Sequence, residues 1–306
     1  MVAEETGGPD PAAGAAVLEL DDATCARMLP VRRATSHKGS HGTLVCLVGS
    51  AQYVGAALLV ASSATRGGAG LVALAVPASI VPLVAGRVPE AITLPLPEAG
   101  GDVVPDGALR VIAERAAEAY VVGCGLAETD GNRRLVLRFL GEHGSPAVVD
   151  GGALNLVAAA GGPWTEVRRE CVLTPHPGEF ARLTGSPVGP ADDERAARAR
   201  EAAAAFGQVV VLKGARTVIA EPGGRTAVAP FANPALASAG TGDVLAGLIG
   251  ALLAQGLRRW EAACLGVYLH GLAGERARER LGEAGPVASD LPVEIALARG
   301  ELARGQ

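Results

Sequence analysis

At residues 238–247 the chain reads Ser238-Ala239-Gly240-Thr241-Gly242-Asp243-Val244-Leu245-Ala246-Gly247, a glycine-rich turn that opens an amphipathic helix. Glycines let a backbone approach a ligand closely, and the free N–H groups and dipole of a helix start stabilise an anion such as a phosphoryl group. A carboxylate beside that anion, here Asp243, is suited either to accept a proton from an attacking hydroxyl or to help hold Mg²⁺. Helix capping by Thr241 or Asp243 is the alternative.

Upstream of this turn, short apolar runs alternate with stretches of helical period. Six runs are predicted strands: Thr43–Val48, Leu71–Val76, Ala119–Val122, Ala147–Val149, Cys171–Leu173 and Val209–Leu212. The helices predicted between these strands are Gly55–Arg66, Ala108–Ala117, Arg133–Leu140, Ala153–Ala160 and Asp192–Phe206. Three more are predicted from the turn onward, at Gly242–Gln255, Trp260–Arg280 and Pro292–Arg299. Most of the strands are apolar on both faces, which is typical of a parallel sheet covered by helices. The order predicts an α/β fold with a mostly parallel, doubly wound sheet and helices on both faces.

Later in the chain, Val218–Ala220 and Thr226–Val228 flank the turn Glu221-Pro222-Gly223-Gly224, which predicts a late antiparallel hairpin. No internal linker divides the sequence. We therefore expect a mobile leader over residues 1–24 and a single domain over residues 25–306.

Composition excludes several classes of protein. The chain has 306 residues, 49% of them apolar, and a net charge of −5, which argues against a disordered chain and against sequence-independent nucleic-acid binding. The N-terminal segment lacks the pattern of a signal peptide, and no apolar run is long enough to span a membrane. Five scattered cysteines without a CxxC pair predict reduced core residues of a cytoplasmic protein.

The carboxyl ends of predicted strands carry further candidate residues, and ligands of such sheets bind beyond those ends. Lys213-Gly214-Ala215-Arg216-Thr217 follows one strand and is a candidate cradle for a nucleotide phosphate or ribose; a solvated turn is the alternative. Of the 27 basic residues only Lys38 and Lys213 are lysines, and the rest are arginines. Because lysine is a compact point charge and arginine a planar fork, these two positions are candidates for sites that need a compact charge. No Walker sequence is present.

Two more strand ends carry acidic groups. Asp150 precedes a glycine pair and either faces phosphates through Mg²⁺ or caps the next helix. In Thr174-Pro175-His176-Pro177-Gly178-Glu179, the prolines present His176 as a polar substrate contact, and Glu179 is a candidate for organising metal or water. A Pro-stiffened turn with an acidic first helical turn is the alternative for this segment.

Five motifs, in order along the chain, resemble the ADP/ATP-dependent NAD(P)H-hydrate dehydratases, a family of the ribokinase-like superfamily with a three-layer fold. They are His37-Lys38-Gly39, Gly55-Ala56-Ala57-Leu58-Leu59, Thr174–Glu179, Leu212-Lys213-Gly214 with Thr217, and Gly240-Thr241-Gly242-Asp243. The match runs from about Cys25 to Ala298. The resemblance implies repair of NADH and NADPH that have acquired water, with Mg²⁺ and ADP, or ATP, as phosphoryl donor; bacterial members use ADP and yield AMP.

The resemblance also implies roles for individual residues. Asp243 deprotonates the hydrate hydroxyl of the S epimer, and Gly240, Thr241 and Gly242 form the anion hole. The remaining roles are nucleotide binding by Lys213, Gly214, Ala215, Arg216, Thr217 and Gly242, and substrate binding by Ala56, Gly125, His176 and Asp243. The candidates for metal binding stay Asp150 and Glu179, on the residue pattern given above. A homo-oligomer is implied as well. The partner NAD(P)H-hydrate epimerase is expected as a separate protein, since the leader before Cys25 is too short for an N-terminal epimerase domain.

This chain departs from the family pattern at two motifs. Asp150-Gly151-Gly152 replaces the usual Asp-Ala-Asp, and Gly123-Cys124-Gly125 replaces Gly-Pro-Gly, a change expected to alter only the stiffness of the turn. The alternative function is an ATP-dependent kinase of a vitamin-precursor alcohol of the hydroxyethylthiazole or hydroxymethylpyrimidine type, because such kinases share the fold and the Gly-Thr-Gly-Asp turn.

Overall fold

A computed structural model describes residues 17–162 and 164–305 of the chain. Its strands are β1 (Leu18–Glu19), β2 (Thr43–Leu47), β3 (Leu71–Pro77), β4 (Ala91–Leu96), β5 (Glu98–Ala99), β6 (Asp102–Val103), β7 (Ala119–Val122), β8 (Ala147–Val149), β9 (Cys171–Leu173), β10 (Val209–Leu212), β11 (Val218–Ala220) and β12 (Thr226–Val228). Ten of them form one sheet in the order β1-β12-β11-β10-β9-β8-β7-β2-β3-β4, and β5 pairs with β6. In the large sheet only β11 runs antiparallel to its neighbours.

Helices cover both faces of this sheet. They are α1 (Asp22–Ala26), α2 (Val54–Gly67), α3 (Val81–Val84), α4 (Pro105–Ala113), α5 (Asp130–Gly141), α6 (Gly152–Ala159), α7 (Pro177–Thr184), α8 (Asp192–Phe206), α9 (Thr241–Ala254), α10 (Arg259–Leu281) and α11 (Leu291–Arg304). Side chains alternate along β2, so Leu44 and Cys46 enter the core under α2 and α9, whereas Val45 and Leu47 enter the core under α4 to α8. The sheet thus lies between two layers of helices, with a hydrophobic core on each face, and the fold has three layers.

The predicted architecture is confirmed. All six predicted strands are present, the late hairpin β11–β12 has the predicted bounds, and the doubly wound parallel arrangement is observed. Because β7, β8, β9 and β10 are mutually parallel neighbours, their carboxyl ends meet at one edge of the sheet. That edge carries the candidate residues.

Two local predictions need correction, and one strand was not predicted. The predicted leader of residues 1–24 extends too far, because Leu18 and Glu19 pair with β12, and Asp21 caps α1 by accepting a hydrogen bond from the Thr24 N–H; residues 1–16 lie outside the described residues. Strand β4 was not predicted, since Pro95 and polar Thr93 mark it as an exposed edge strand. Helix α4 begins earlier than predicted because Pro105 starts it.

Helix α9 is nearly surrounded by protein, which explains its continuous apolar sequence. A Cβ on Gly247 would lie 2.5 Å from the backbone oxygen of Val60 in α2, and one on Gly250 would lie 2.5 Å from a methyl carbon of Val121 in β7. These two glycines let α9 lie directly against α2 and the sheet. In the described part of the chain, no helix is long and apolar enough to cross a membrane, and all five cysteines are free and buried.

We predict that Gly247→Ala destabilises the fold, by about 1–3 kcal/mol, because the added methyl group meets backbone that cannot move cheaply. Chemical denaturation measures the loss. Gly300→Ala in α11 is the matched control, since its Cβ meets nothing closer than 3.5 Å and alanine favours a helix. Equal stability changes in the two variants would contradict the packing argument.

Candidate functional site

A cavity of about 820 Å³ opens at the sheet edge where β8, β9 and β10 end. Its wall combines the residues after those strands with the N-terminal turn of α9 and with His270 of α10. Asp150 follows β8, His176 stands three residues beyond β9, and Lys213 follows β10. Parallel strands place their carboxyl ends side by side, so residues 63 positions apart in sequence come into contact here.

The start of α9 presents backbone donors to this cavity. Gly240 has φ +88°, a conformation that favours glycine, and it turns the chain into the helix. Among the described residues, the N–H groups of Gly242 and Asp243 have no hydrogen-bond acceptor, as expected of a first helical turn. The Thr241 hydroxyl donates to the carbonyl oxygens of Leu236 (2.9 Å) and Ser238 (3.0 Å), which fixes the turn. Two N–H groups are thus free to receive an anion.

The carboxyl group of Asp243 lies at the base of this turn and is largely buried. Burial raises its pKa to about 6, and the negative charge of Asp150 acts in the same direction. A hydrogen bond from Cys124 and the charge of Lys213 partly oppose the rise. A carboxylate of this kind is ionised at pH 7.5 and yet basic enough to take a proton, as general-base catalysis requires.

Lys213 supplies the positive charge of the site. Its ammonium donates to Asp150 Oδ1 at 2.7 Å and lies 3.8 Å from Glu179 Oε2. A Cβ on Gly242 would lie 3.2 Å from Lys213 Nζ, so the ammonium also borders the anion-binding turn. Burial alone would lower the pKa of Lys213, but the charges of Asp150 and Glu179 outweigh it and raise that pKa above its ordinary value. The lysine stays charged.

The predicted metal ligands Asp150 and Glu179 do not fit a magnesium ion in this arrangement. The Lys213 ammonium occupies the position between the two carboxylates that a cation would take. Asp150 Oδ1 also accepts from the Thr174 hydroxyl at 2.6 Å, and Oδ2 lies 3.5 Å from the Cys124 thiol. A thiol is a soft ligand that Mg²⁺ does not favour. The geometry therefore gives no support to the two carboxylates as a magnesium site.

His176 starts α7 as its cap and also lies in the cavity wall. Its Nδ1 accepts from the N–H groups of Gly178 (3.0 Å) and Glu179 (3.3 Å), and the Glu179 carboxylate accepts from the His176 N–H (2.8 Å). This reciprocal cap starts α7 and holds the imidazole at the cavity wall. Glu179 is thereby committed to the cap and to Lys213.

The predicted nucleotide segment divides into two parts. Lys213, Gly214, Ala215 and Thr217 line the cavity. Arg216 does not, because its guanidinium pairs with Glu19 (3.1 Å) and Asp192 (3.2 Å). Its side chain is therefore turned away from the predicted ligand. Buried Arg195 of α8 donates to the carbonyl oxygens of Leu212 and Lys213, which fixes the lysine turn.

The predicted substrate residues Ala56 and Gly125 contact each other outside the wall of this cavity. Gly125 has φ +67°, and a Cβ there would lie 2.6 Å from the Ala56 Cβ and 2.9 Å from the Tyr53 Cβ. Neighbouring Cys124 reaches the two aspartates: Cys124, Asp150 and Asp243 have ligand atoms within 4.8 Å of one another. The Ala56–Gly125 contact thus follows directly on Cys124 in the chain.

Two residues of the site were not predicted from the sequence. The sequence predicts Cys124 as a core residue and indicates no role for His270. Cys124 could have been found, because it follows β7 as the other site residues follow their strands. His270 lies in the middle of α10, beside an apolar run of that helix, and carries no comparable signal.

Comparison with known proteins gives a consistent result. The family profile described as NAD(P)H-hydrate dehydratase matches residues 44–295. The chain is 41% identical over 89% of its length to the bifunctional NAD(P)H-hydrate repair enzyme of Moorella thermoacetica, and it spans 52% of that relative, about half of its length. It is 38% identical to the ADP-dependent (S)-NAD(P)H-hydrate dehydratase of Neisseria meningitidis, covering 85% of this chain and 86% of that protein.

A solved structure agrees with these relatives. The ADP/ATP-dependent NAD(P)H-hydrate dehydratase of Bacillus subtilis, co-crystallised with ATP/Mg²⁺, superposes with a TM-score of 0.82 at 33% sequence identity. The superposition covers 94% of this chain and 99% of that chain.

We predict that Asp243→Asn stabilises the fold above pH 6. The pKa of Asp243 is raised, so its stabilising contribution is present at low pH and is lost as pH rises through about 6. At pH 8 the variant should therefore exceed the wild type by about 1–3 kcal/mol, a difference that shrinks toward pH 4. Denaturant unfolding at both values measures it, with exposed Asp193→Asn as control. A pH-independent difference would contradict the burial argument.

Proposed function

The chain belongs to the NAD(P)H-hydrate dehydratase family, and we propose that it catalyses the ADP-dependent dehydration of the S epimer of hydrated NADH and NADPH. The products are NADH or NADPH, AMP and phosphate. The observation that carries the proposal is the position of Asp243: it belongs to the helix turn whose two N–H groups are free, and its carboxylate lies within 4.8 Å of the Asp150 carboxylate that pairs with Lys213. A base, an anion-binding turn and a cation meet in one cavity.

In the first step the hydrate hydroxyl attacks the β-phosphorus of ADP. An oxygen–phosphorus bond forms to the hydrate, the bond from that phosphorus to the bridging oxygen breaks, and AMP leaves with its electron pair. Asp243 takes the hydroxyl proton. Its pKa of about 6 makes it ionised at neutral pH, so it is ready to accept.

In the second step the phosphorylated carbon loses phosphate. The nicotinamide nitrogen supplies the electron pair that expels the phosphate, and loss of a proton from the adjacent ring carbon restores the double bond. Phosphorylation turns a poor leaving group into a good one, which explains why a dehydration consumes a nucleotide.

The anion-binding turn stabilises the phosphoryl group while it moves. In the described part of the chain the N–H groups of Gly242 and Asp243 are unpaired donors on residues that line the cavity, and Lys213 borders the same turn. Donors already in place need no reorganisation as charge develops in the transition state, and each is worth about 10²–10³ in rate. Thr241 contributes by holding the turn, since its hydroxyl is committed to Leu236 and Ser238.

The nucleotide occupies the part of the cavity lined by Gly214, Ala215 and Thr217 in this proposal. In this proposal Mg²⁺ enters the cavity bound to the nucleotide phosphates, as it commonly does, and is not held by the Asp150–Glu179 pair.

A cytoplasmic location fits the five free cysteines. The expected homo-oligomer rests on the family resemblance.

Asp243→Asn is predicted to lower turnover by about 10²-fold or more, as for the loss of a general base, while ADP binding is largely kept. Recovery of the reduced-nicotinamide absorbance from hydrated NADH with ADP and Mg²⁺ measures turnover, and calorimetry measures ADP affinity. For the wild type, kcat should rise with pH through an apparent pKa near 6.

The same assay tests the kinase alternative. Wild-type protein that phosphorylates a thiazole alcohol and leaves hydrated NADH unchanged would overturn the dehydratase proposal. A sensor without catalysis would show no effect of Asp243→Asn on any activity.

Lys213→Ala is predicted to weaken ADP binding by about tenfold or more, because removal of a desolvated cation leaves the phosphates without their charged partner. The other lysine gives the matched control: Lys38 lies in an exposed turn outside the cavity wall, so Lys38→Ala should bind ADP like the wild type. Unchanged ADP affinity in Lys213→Ala would show that the lysine serves its ion pair with Asp150 and does not bind the nucleotide.

A further inference from the structure

We propose that His270 is a positioning residue that aims the Gly242 N–H at the transferring phosphoryl group by holding the preceding carbonyl group. This inference rests on the proposed function, because it assigns a role within the same anion-binding turn. His270 belongs to α10, a different element from the turn that it contacts.

The contact is a hydrogen bond between a buried ring and a backbone oxygen. His270 is 9% exposed, and its Nε2 lies 3.0 Å from the carbonyl oxygen of Thr241. A carbonyl oxygen only accepts hydrogen bonds, so Nε2 must carry the hydrogen and donate it. The ring is therefore held as the tautomer protonated on Nε2.

Holding this oxygen also sets the direction of the next N–H. The Thr241–Gly242 peptide is trans, as no cis peptide occurs among the described residues, and in a trans peptide the C=O and N–H bonds point in opposite directions. The oxygen lies against the His270 ring of α10, so the Gly242 N–H points away from that ring. His270 thus orients one of the two free donors without touching the ligand.

The side chain of Thr241 is held by the loop that precedes α9. Thr241 donates its hydroxyl to Leu236 and Ser238, which anchors the residue to the preceding loop. Glycines of α10 allow this loop to pack closely, since a Cβ on Gly271 would lie 2.1 Å from Phe231 and one on Gly274 would lie 2.7 Å from Leu236. These contacts fix where Thr241 lies. As the first carbonyl of α9, the Thr241 oxygen also faces the Leu245 N–H one turn on, and His270 adds a second donor to it from a separate element.

A neutral donor suits this position. Burial lowers the pKa of His270 to about 4, and the charge of Lys213 acts in the same direction. The ring thus stays uncharged over the pH range in which Asp243 ionises. An uncharged ring orients the peptide without adding a second cation beside Lys213.

The test compares variants that remove or restore the donor. His270→Leu and His270→Met lack a donor and fill the space, whereas His270→Gln offers an amide N–H at similar reach. Exposed His143→Leu is the matched control. For each protein, kcat, the Kd for ADP and the Kd for AMP with aluminium fluoride are measured, the last as a mimic of the transferring phosphoryl group, together with Tm.

We expect both donor-free variants to lose about 10²-fold in kcat and a similar factor in affinity for AMP with aluminium fluoride, while the Kd for ADP stays within about threefold. His270→Gln should recover at least about tenfold of the lost kcat, and His143→Leu should match the wild type.

Three results would overturn the role of His270: unchanged kcat in a folded donor-free variant, a glutamine variant as impaired as leucine, or equal weakening of ADP and the mimic. A donor-free variant that does not fold leaves the glutamine variant and the remaining donor-free variant to decide. If the wild type binds ADP and the mimic with the expected dependence on His270 but regenerates no reduced nicotinamide, the dehydratase proposal fails and this inference stands.

Discussion

The buried ion pair between Asp150 and Lys213 is the interaction on which the site depends. It joins the ends of β8 and β10 across β9, and the Thr174 hydroxyl from the end of β9 donates to the same carboxylate oxygen. A buried pair is stable only when its remaining lone pairs and protons find partners. Cys124 and Glu179 supply them, so four neighbouring strand ends are tied together by one network.

This network also determines the chemistry available to Asp243. Asp150 neutralises Lys213 at close range, so the lysine charge reaches Asp243 only in part, and the burial of Asp243 beside a second carboxylate keeps its pKa near 6. The same acidic surroundings would repel a nucleotide if charge alone decided binding. The N–H groups of α9 provide the positive field where it is needed, which reconciles an acidic protein with a phosphate ligand.

Much of this arrangement could be predicted from the sequence because it follows from strand ends and a helix start. Asp150, Lys213 and Asp243 each occupy such a position, and the apolar strands before them fix where those positions meet. Contacts that depend on side-chain direction could not be predicted. Arg216 belongs to the predicted segment yet turns to Glu19 and Asp192, and the Cys124 thiol reaches the carboxylates of Asp150 and Asp243 although a stiffness change alone was expected.

The two lysines of the chain illustrate the same difference. Lys213 Nζ donates to Asp150 Oδ1 at 2.7 Å, lies 3.8 Å from Glu179 Oε2 and borders Gly242. A compact point charge serves partners on several sides, whereas a guanidinium is a planar fork, and this contrast fits a lysine among 25 arginines. Lys38 lies on an exposed turn, and no ion pair in the described part of the chain involves it. The scarcity of lysine therefore pointed to two positions, of which Lys213 is constrained by its neighbours and Lys38 is not. Only the structure distinguishes the two.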